Sequence, residues 1–215
     1  MAEKEQRIAA PKLSLVLNEF ELEHSIDDEE IITQATVQGR TFDGIEARRV
    51  TFRQVLFQNT VFVRSLLKGA DLEDTVFEGC DLSNLDLSES ILNRVCFRRC
   101  KLVGINMTGA SIRDTVFTGC LAKYAGFRFA TFERAAFEDS NCSSADFEGA
   151  DFTKMKFSGT DLRQAQMSGA ALSGIDLRTC DIDGLGARTN DLKGVVVLPE
   201  QAVVVAKLLG VIIKE

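Results

Sequence analysis

From Phe42 to Leu192 one amino-acid class returns at every fifth position without a slip, through 31 consecutive positions. Phe fills 13 of these centres, Leu 10, Met two and Ile two, leaving only Ala47, Ala122, Cys142 and Ala187 as small exceptions. A helix repeats its apolar face every 3.6 residues and a strand every two, so neither alone produces a spacing of five. A fixed internal period marks a chain built from stacked units. In the stretch from Ala70 to Leu82 the residue two before each centre is smaller, with Ala70, Thr75 and Cys80 ahead of Leu72, Phe77 and Leu82.

Glycine supports a backbone explanation independently. Of 16 glycines, 13 stand two residues after a centre or in phase with that position, among them Gly39, Gly44, Gly69, Gly79, Gly104 and Gly194, and Asn59 and Asn84 share it. A type II turn needs a positive φ at its second corner, which Gly and Asn tolerate. Each quintet therefore reads as a very short strand followed by a corner. The two prolines, Pro11 and Pro199, lie outside the periodic region. Proline has no N–H to give to a ladder between units.

The unit resembles that of the pentapeptide-repeat family, Ala-Asp/Asn-Leu/Phe-X-X. Ala70-Asp71-Leu72, Ala145-Asp146-Phe147 and Ala150-Asp151-Phe152 match it in full, and the resemblance covers residues 40–194. It implies an all-β, right-handed quadrilateral β-helix of about eight coils, four quintets to a coil. At one strand spacing per coil the rod is about 38 Å long. Phe57, Phe77, Phe97, Phe117, Phe137 and Phe157 then form a core ladder on one side. Cys80, Cys100, Cys120 and Cys180 fall in one internal column, where they are expected to be reduced and inert, while Cys96 takes an outward, reachable position.

Three segments follow. Residues 1–39 carry nine acids and three bases and read as an acidic N-terminal segment and cap. Within it, residues 1–12 read as disordered, 13–17 as a short strand, and Asp27 to Glu30 as a capping box opening a helix from Asp28 to Ala35. The only histidine, His24, reads as a surface residue. Residues 40–194 form the β-helix. Residues 195–215 leave the period: Pro199 and Glu200 open a helix from Gln201 to Leu209, stopped at Gly210, with Val211 to Ile213 strand-like. Pro199, Val203, Leu208, Leu209, Val211 and Ile212 make this end apolar and predict a two-fold homodimer through the C-terminus.

The chemistry the chain lacks narrows its function. One histidine leaves little for His-dependent triads or metal sites, and there is no phosphate loop, dinucleotide fingerprint or paired zinc cysteines. A non-enzymatic protein without cofactor is expected. The net charge of −7 argues against direct binding to nucleic acid or an anionic membrane. With no signal peptide or apolar span, the cytoplasm is the expected location.

The layout further resembles the Qnr/MfpA branch of the family, in a loopless form: an uninterrupted rod with a short cap, then Pro199-Glu200-Gln201-Ala202 and Leu209-Gly210-Val211-Ile212-Ile213. The segment from Tyr124 to Phe132 shares that look. The resemblance implies a homodimer that binds DNA gyrase or topoisomerase IV and protects it from quinolones, with DNA mimicry as the suggested basis. Asp71, Glu73, Asp74, Glu78, Asp81, Asp86 and Glu89 form an acidic belt with no base among them, and are the candidate partner-binding residues. Five bases and no acid precede the belt between Ala47 and Ala70, so charge is banded in rings and no continuous acidic stripe runs along the rod. The rival readings are an interaction or scaffold protein with another partner, and a gyrase inhibitor without a protective role.

Overall fold

The computed structural model describes residues 7–20 and 26–213. The chain winds as a parallel β-solenoid of about seven turns, closed at its C-terminal end by one short helix. Two adjacent sides of the coil carry the long strands, each bent at a corner: β2 (Ile31–Gln38), β4 (Thr51–Gln58), β6 (Asp71–Glu78), β7 (Ile91–Arg98), β8 (Ser111–Thr118) and β9 (Thr131–Glu138). Two short ones, β10 (Asp151–Thr153) and β11 (Lys156–Ser158), complete those two sides. The two-residue β1 (Asn18–Glu19) pairs with β2, and β3 (Thr41–Asp43) pairs with β5 (Val61–Val63). From β2 onward every pairing between successive coils is parallel and joins residue i to residue i+20, as in Phe57↔Phe77↔Phe97↔Phe117↔Phe137. On the other sides the same register continues through single bridges such as Asp81↔Lys101 and Asp86↔Asn106. Four quintets therefore make one coil.

Centres and the small residues two before them point inward and fill the interior. Phe97, Phe117, Phe127 and Phe137 are fully buried, as are Ala110, Ala130 and Ala145. From Phe57 to Phe157 the rings of the core ladder stack at centroid distances of 4.7, 5.0, 4.8, 4.3 and 5.8 Å, all within 9° of parallel. The ladder holds these rings parallel, and edge contacts from Phe127 and Phe147 on the opposite side of the coil complete the packing. The internal thiol and hydroxyl column is satisfied by backbone. Cys80, Cys100 and Cys120 direct Sγ at the carbonyls of Phe57, Phe77 and Phe97 (3.4–3.5 Å), and Ser140 and Thr160 donate to Phe117 and Phe137.

Up to Gly174 each coil has four corners with positive φ, for example Arg64, Gly69, Asp74 and Gly79. Glycine is not required: the left-handed conformation is also held by Arg, Asp, Glu, Gln, Tyr and Phe side chains, at about 1–2 kcal/mol each. The corners also differ in kind. At Gly69, Asn84 and Gly104 an i→i+3 hydrogen bond closes a turn (Ala70 N to Leu67 O, Leu85 N to Leu82 O, Ile105 N to Leu102 O). At Asp74 and Arg94 the corner instead lies inside a long strand, and the pairing skips it between Glu73↔Asn93 and Thr75↔Val95.

The ends correct the sequence reading. The expected helix from Asp28 to Ala35 is absent. The capping-box contact forms, with Asp27 N donating to Glu30 Oε2 at 2.9 Å, but Glu29 turns left-handed (φ 61°) and the chain enters β2. Ile32 and Val37 already occupy centres and are buried, so the solenoid starts two quintets before Phe42. The β-branched run Ile31-Ile32-Thr33 outweighs the local helix signal once a next coil is there to pair with. Residues 13–17 form no strand, and His24 lies outside the described residues. At the far end Val197 continues the register and packs on the core. The pass at 171–178 carries no strand, which leaves about seven turns where eight coils were expected.

The C-terminal helix α1 (Ala202–Leu208) lies over the last coil, with Val204, Val205 and Leu208 against the core. Gln201 Nε2 donates to the carbonyls of Leu177 and Cys180, at 2.9 and 2.8 Å, and so occupies acceptors that have no further coil above them. Gly210 ends the helix at φ 80°, and Val211 to Ile213 are not a strand.

Phe97→Asp is expected to abolish folding, because an unpaired charge in mid-ladder costs several kcal/mol against a total stability of about 5–15. Circular dichroism should show loss of the sheet signal and of a cooperative melt, and a soluble, cooperatively melting variant would overturn the register.

Candidate interaction surface

Because register is i↔i+20, outward side chains also stack in axial columns, and the banded charges meet across coils. The basic ring before the belt and the basic ring after it both pair with belt acids. Arg53 bonds Glu73 at 2.8 Å, Lys68 bonds Glu89 at 2.9 Å, Arg99 bonds Glu78 at 2.6 Å and Lys101 bonds Asp81 at 2.9 Å. Arg94 reaches both Asp74 (2.6 Å) and Glu73 (2.7 Å). Asp86 accepts from Asn106 and from Ser88 N. Asp71 is half-buried, and burial raises its pKa, with Arg53 opposing. The candidate belt is therefore mostly ion-paired to neighbouring coils. Exposed pairs contribute ~0–1 kcal/mol each to stability, yet together they cancel most of the field the belt would project.

Asp74 differs from the rest of the belt. It is 5% exposed, and Asp114, two coils on in the same corner column, is 7% exposed. What buries them is the N-terminal segment. Lys12 N donates to Asp74 Oδ1 at 2.9 Å and Ala9 N donates to Asp114 Oδ1 at 3.1 Å. Of the segment expected to be disordered, residues 7–12 are thus a strap along the outside of the rod. The second oxygens of the same carboxylates pair with Arg94 and Arg134, both at 2.7 Å. Burial opposes ionisation of Asp74, but Arg94 and the Lys12 N–H hold its pKa below the ordinary value. Arg134 does the same for Asp114.

Beside this column runs an apolar one, Leu56, Val76, Cys96, Val116 and Ala136, joined rung to rung. These residues each precede an inward Phe and so point outward. Val76, Cys96 and Ala136 are nonetheless buried, without belonging to the interior cluster. Cys96 is therefore not reachable: it is 7% exposed, and burial raises its pKa. All six cysteines are free and buried, and Cys100, hydrogen-bonded to Cys120 and desolvated, is pushed up to about 12.

The sequence did carry a sign of the strap. The corner column Gln34, Gln54, Asp74, Arg94, Asp114, Arg134, Lys154 holds no glycine before Gly174, although every one of these residues has positive φ up to Lys154. Side chains are kept there despite the strain. On the strap, Ile8, Pro11, Ser14, Leu17 and Phe20 are partly buried at a period of three.

The candidate dimer residues divide. Leu208 packs on the core, while Val203, Leu209, Val211 and Ile212 are exposed, Ile212 at 83%. Pro199 is exposed as well. An open hollow of about 540 Å³ lies near this end between segments 169–173 and 190–194. The Asp191 carboxylate there is taken up by the N–H groups of Gly169 and Arg188. Among the described residues no group of three or more His, Cys, Asp or Glu side chains is placed to hold a metal. No helix among them is long and apolar enough to cross a membrane.

A model of the pentapeptide repeat region matches residues 50–127 and 70–147, and a model of pentapeptide repeats in eight copies matches residues 140–178, together more than half of the chain. The chain belongs to the pentapeptide-repeat family. Solved structures of this fold are similar to it. HetL, a pentapeptide repeat protein involved in heterocyst differentiation regulation from the cyanobacterium Nostoc, is 18% identical, with 79% of this chain and 87% of that chain covered and a TM-score of 0.45. A trypsin-treated form of QnrB1, a plasmid-mediated fluoroquinolone resistance protein, is 19% identical, with 89% and 100% covered and a TM-score of 0.45. A pentapeptide repeat protein from the Arabidopsis thaliana thylakoid lumen is 22% identical, with 61% and 74% covered and a TM-score of 0.32. No curated protein matches the sequence.

Titration of the native pentapeptide-repeat rod with a disulfide reagent should find no fast thiol, and all six only after denaturation. One fast group in the folded protein, assigned to Cys96 by peptide mapping, would show that the strap does not cover the outer column.

Proposed function

We propose that the chain is a non-catalytic binding rod, dimeric through its C-terminal end, and that it engages a bacterial type II topoisomerase, DNA gyrase or topoisomerase IV, in the manner of the Qnr/MfpA branch. The observation that carries the binding reading is the filled interior. Nearly all centres and the residues two before them are buried, which leaves the outer surface and the two ends as the places where another molecule can be met. The dimer part is supported by the exposed Val203, Leu209, Val211 and Ile212, an apolar end that a two-fold partner would cover with the same patch. The topoisomerase part is supported by the layout of the sequence, a loopless rod between a short cap and the C-terminal helix.

Charge mimicry of DNA is not what supports this reading, because the belt acids are bound to Arg53, Lys68, Arg94, Arg99 and Lys101. The same pairing favours, as a second reading, a scaffold that meets a different protein partner through shape and local contacts.

Supercoiling by purified gyrase from the same source organism, poisoned with ciprofloxacin and titrated with this protein, tests the reading. Recovery of supercoiled product is expected. Neither rescue nor inhibition at large molar excess would leave the scaffold. Independently, a Leu209→Asp/Ile212→Asp variant is expected to sediment as a monomer at micromolar concentration where the unmodified chain sediments as a dimer; a monomeric unmodified chain would refute the interface.

A further inference from the structure

The strap fits its groove by a coincidence of repeat lengths. Three residues separate Ala9 from Lys12, and two coils separate Asp114 from Asp74. An extended polyproline-type chain advances ~3.1 Å per residue, or ~9.3 Å in three. Two strand spacings are ~9.6 Å. A polyproline-type segment therefore presents one backbone N–H per turn to every second residue of the corner column. In this rod those residues are carboxylates, with Arg94 and Arg134 alternating between and beyond them and holding them in place. The same three-residue turn brings Ile8 and Pro11, both partly buried, to one side of the segment, and the outward column next to the corner column is apolar, with Val76, Cys96 and Val116. Pro11 presets the extended φ and has no N–H of its own, while the residues that must donate, Ala9 and Lys12, keep theirs.

The contact is local. Between Lys12 and β1 the chain bends through Leu15 and Val16, which stand 105% and 74% exposed. Leu13, Ser14 and Leu17 on either side of this bend stay partly buried. The strap can leave without unwinding a coil, because the ladder of the solenoid runs through residues 31–158 and makes no use of it.

We propose that the outer groove formed by Asp74, Arg94, Asp114 and Arg134 over Val76, Cys96 and Val116 is a docking site for an extended, polyproline-type segment of a partner protein, and that residues 7–12 are its intrachain occupant. The partner segment carries apolar side chains one turn apart around a proline, and two unblocked N–H groups three residues apart. The tethered strap holds the site at a high effective concentration, so a partner competes only when it binds more strongly or when the strap is displaced. This inference is independent of the topoisomerase reading.

The test uses the full chain with Ala9→Pro and Lys12→Pro, which removes both donated N–H groups while keeping the segment extended. Cys96 is the built-in reporter, with Cys96→Ser as the control that assigns its signal. The probe is a fluorescein-labelled synthetic peptide of residues 6–17. In the unmodified protein Cys96 should react as slowly as the inner cysteines and the peptide should not bind measurably. In the double variant Cys96 should react at least tenfold faster, and the peptide should bind and restore slow labelling. A peptide with proline at both donor positions should do neither. Thermal melting checks that the double variant is folded; Pro11→Gly, which loosens the segment and leaves the donors, supplies a second route to the same exposure. Unchanged Cys96 labelling in both variants would overturn the proposal. So would faster labelling that the peptide fails to reverse, since residues 7–12 would then be a fixed strap and the groove no docking site.

Discussion

The parallel ladder sets everything else in this molecule. Each backbone group of a coil finds its partner twenty residues away, so any residue that slips by one position turns its whole side of the coil inside out. The strictness of the five-residue period follows. So does the stacked phenylalanine column: the ladder holds the rings parallel, with centroids 4.3–5.0 Å apart through the middle of the rod. The ladder also explains why left-handed corners persist at Arg94, Tyr124 and Phe129. Backbone pairing on both sides over-determines the corner, and the local strain is tolerated.

Stacking in register acts on the surface as it does in the core. Like charges twenty residues apart would sit one strand spacing from each other, which is destabilising. Over much of the rod acid and base alternate between coils, giving axial ion pairs such as Arg53–Glu73, Lys101–Asp81 and Arg134–Asp114, and where Asp161 is paired with Asp181 the Arg163 side chain bonds both. Banding that looks in the sequence like a charged belt is, in three dimensions, charge cancelled against the coils above and below.

The middle of the rod was legible from sequence because its environment repeats. Phe57 through Phe157, the thiol column and the glycine corners all report the same period, and neighbours confirm one another. The ends were not, because there one coil has no neighbour and local rules compete. Asp27 to Glu30 obeys the capping-box rule and makes the predicted contact, yet Ile31, Ile32 and Val37 go to strand because β4 lies beside them. The strap was missed for a related reason. Nothing in Arg7 to Lys12 is periodic over a long enough stretch, and its meaning appears only against Asp74 and Asp114, 62 and 105 residues away. Cys96 was misjudged as reachable because alternation shows which way a side chain points, and not what lies over it.

A solenoid must also stop, and the two ends do so by different physics. At the N-terminal end, β1 adds a two-residue strand to β2, Phe20 N donates to Thr36 O, and the Phe20 ring covers the first coil. The ladder is extended briefly and then shielded. At the C-terminal end no strand is added. The Gln201 amide takes two carbonyls of the last coil, and α1 lays Val204, Val205 and Leu208 over the exposed core. A seven-residue helix is too short to be stable by itself, so its stability comes from this one packed face. The opposite face and the tail leave Val203, Leu209 and Ile212 in solvent. The N-terminal end extends its ladder into β1 under Phe20, whereas the C-terminal cap shields the core with one face of a helix and leaves apolar side chains of its own outside.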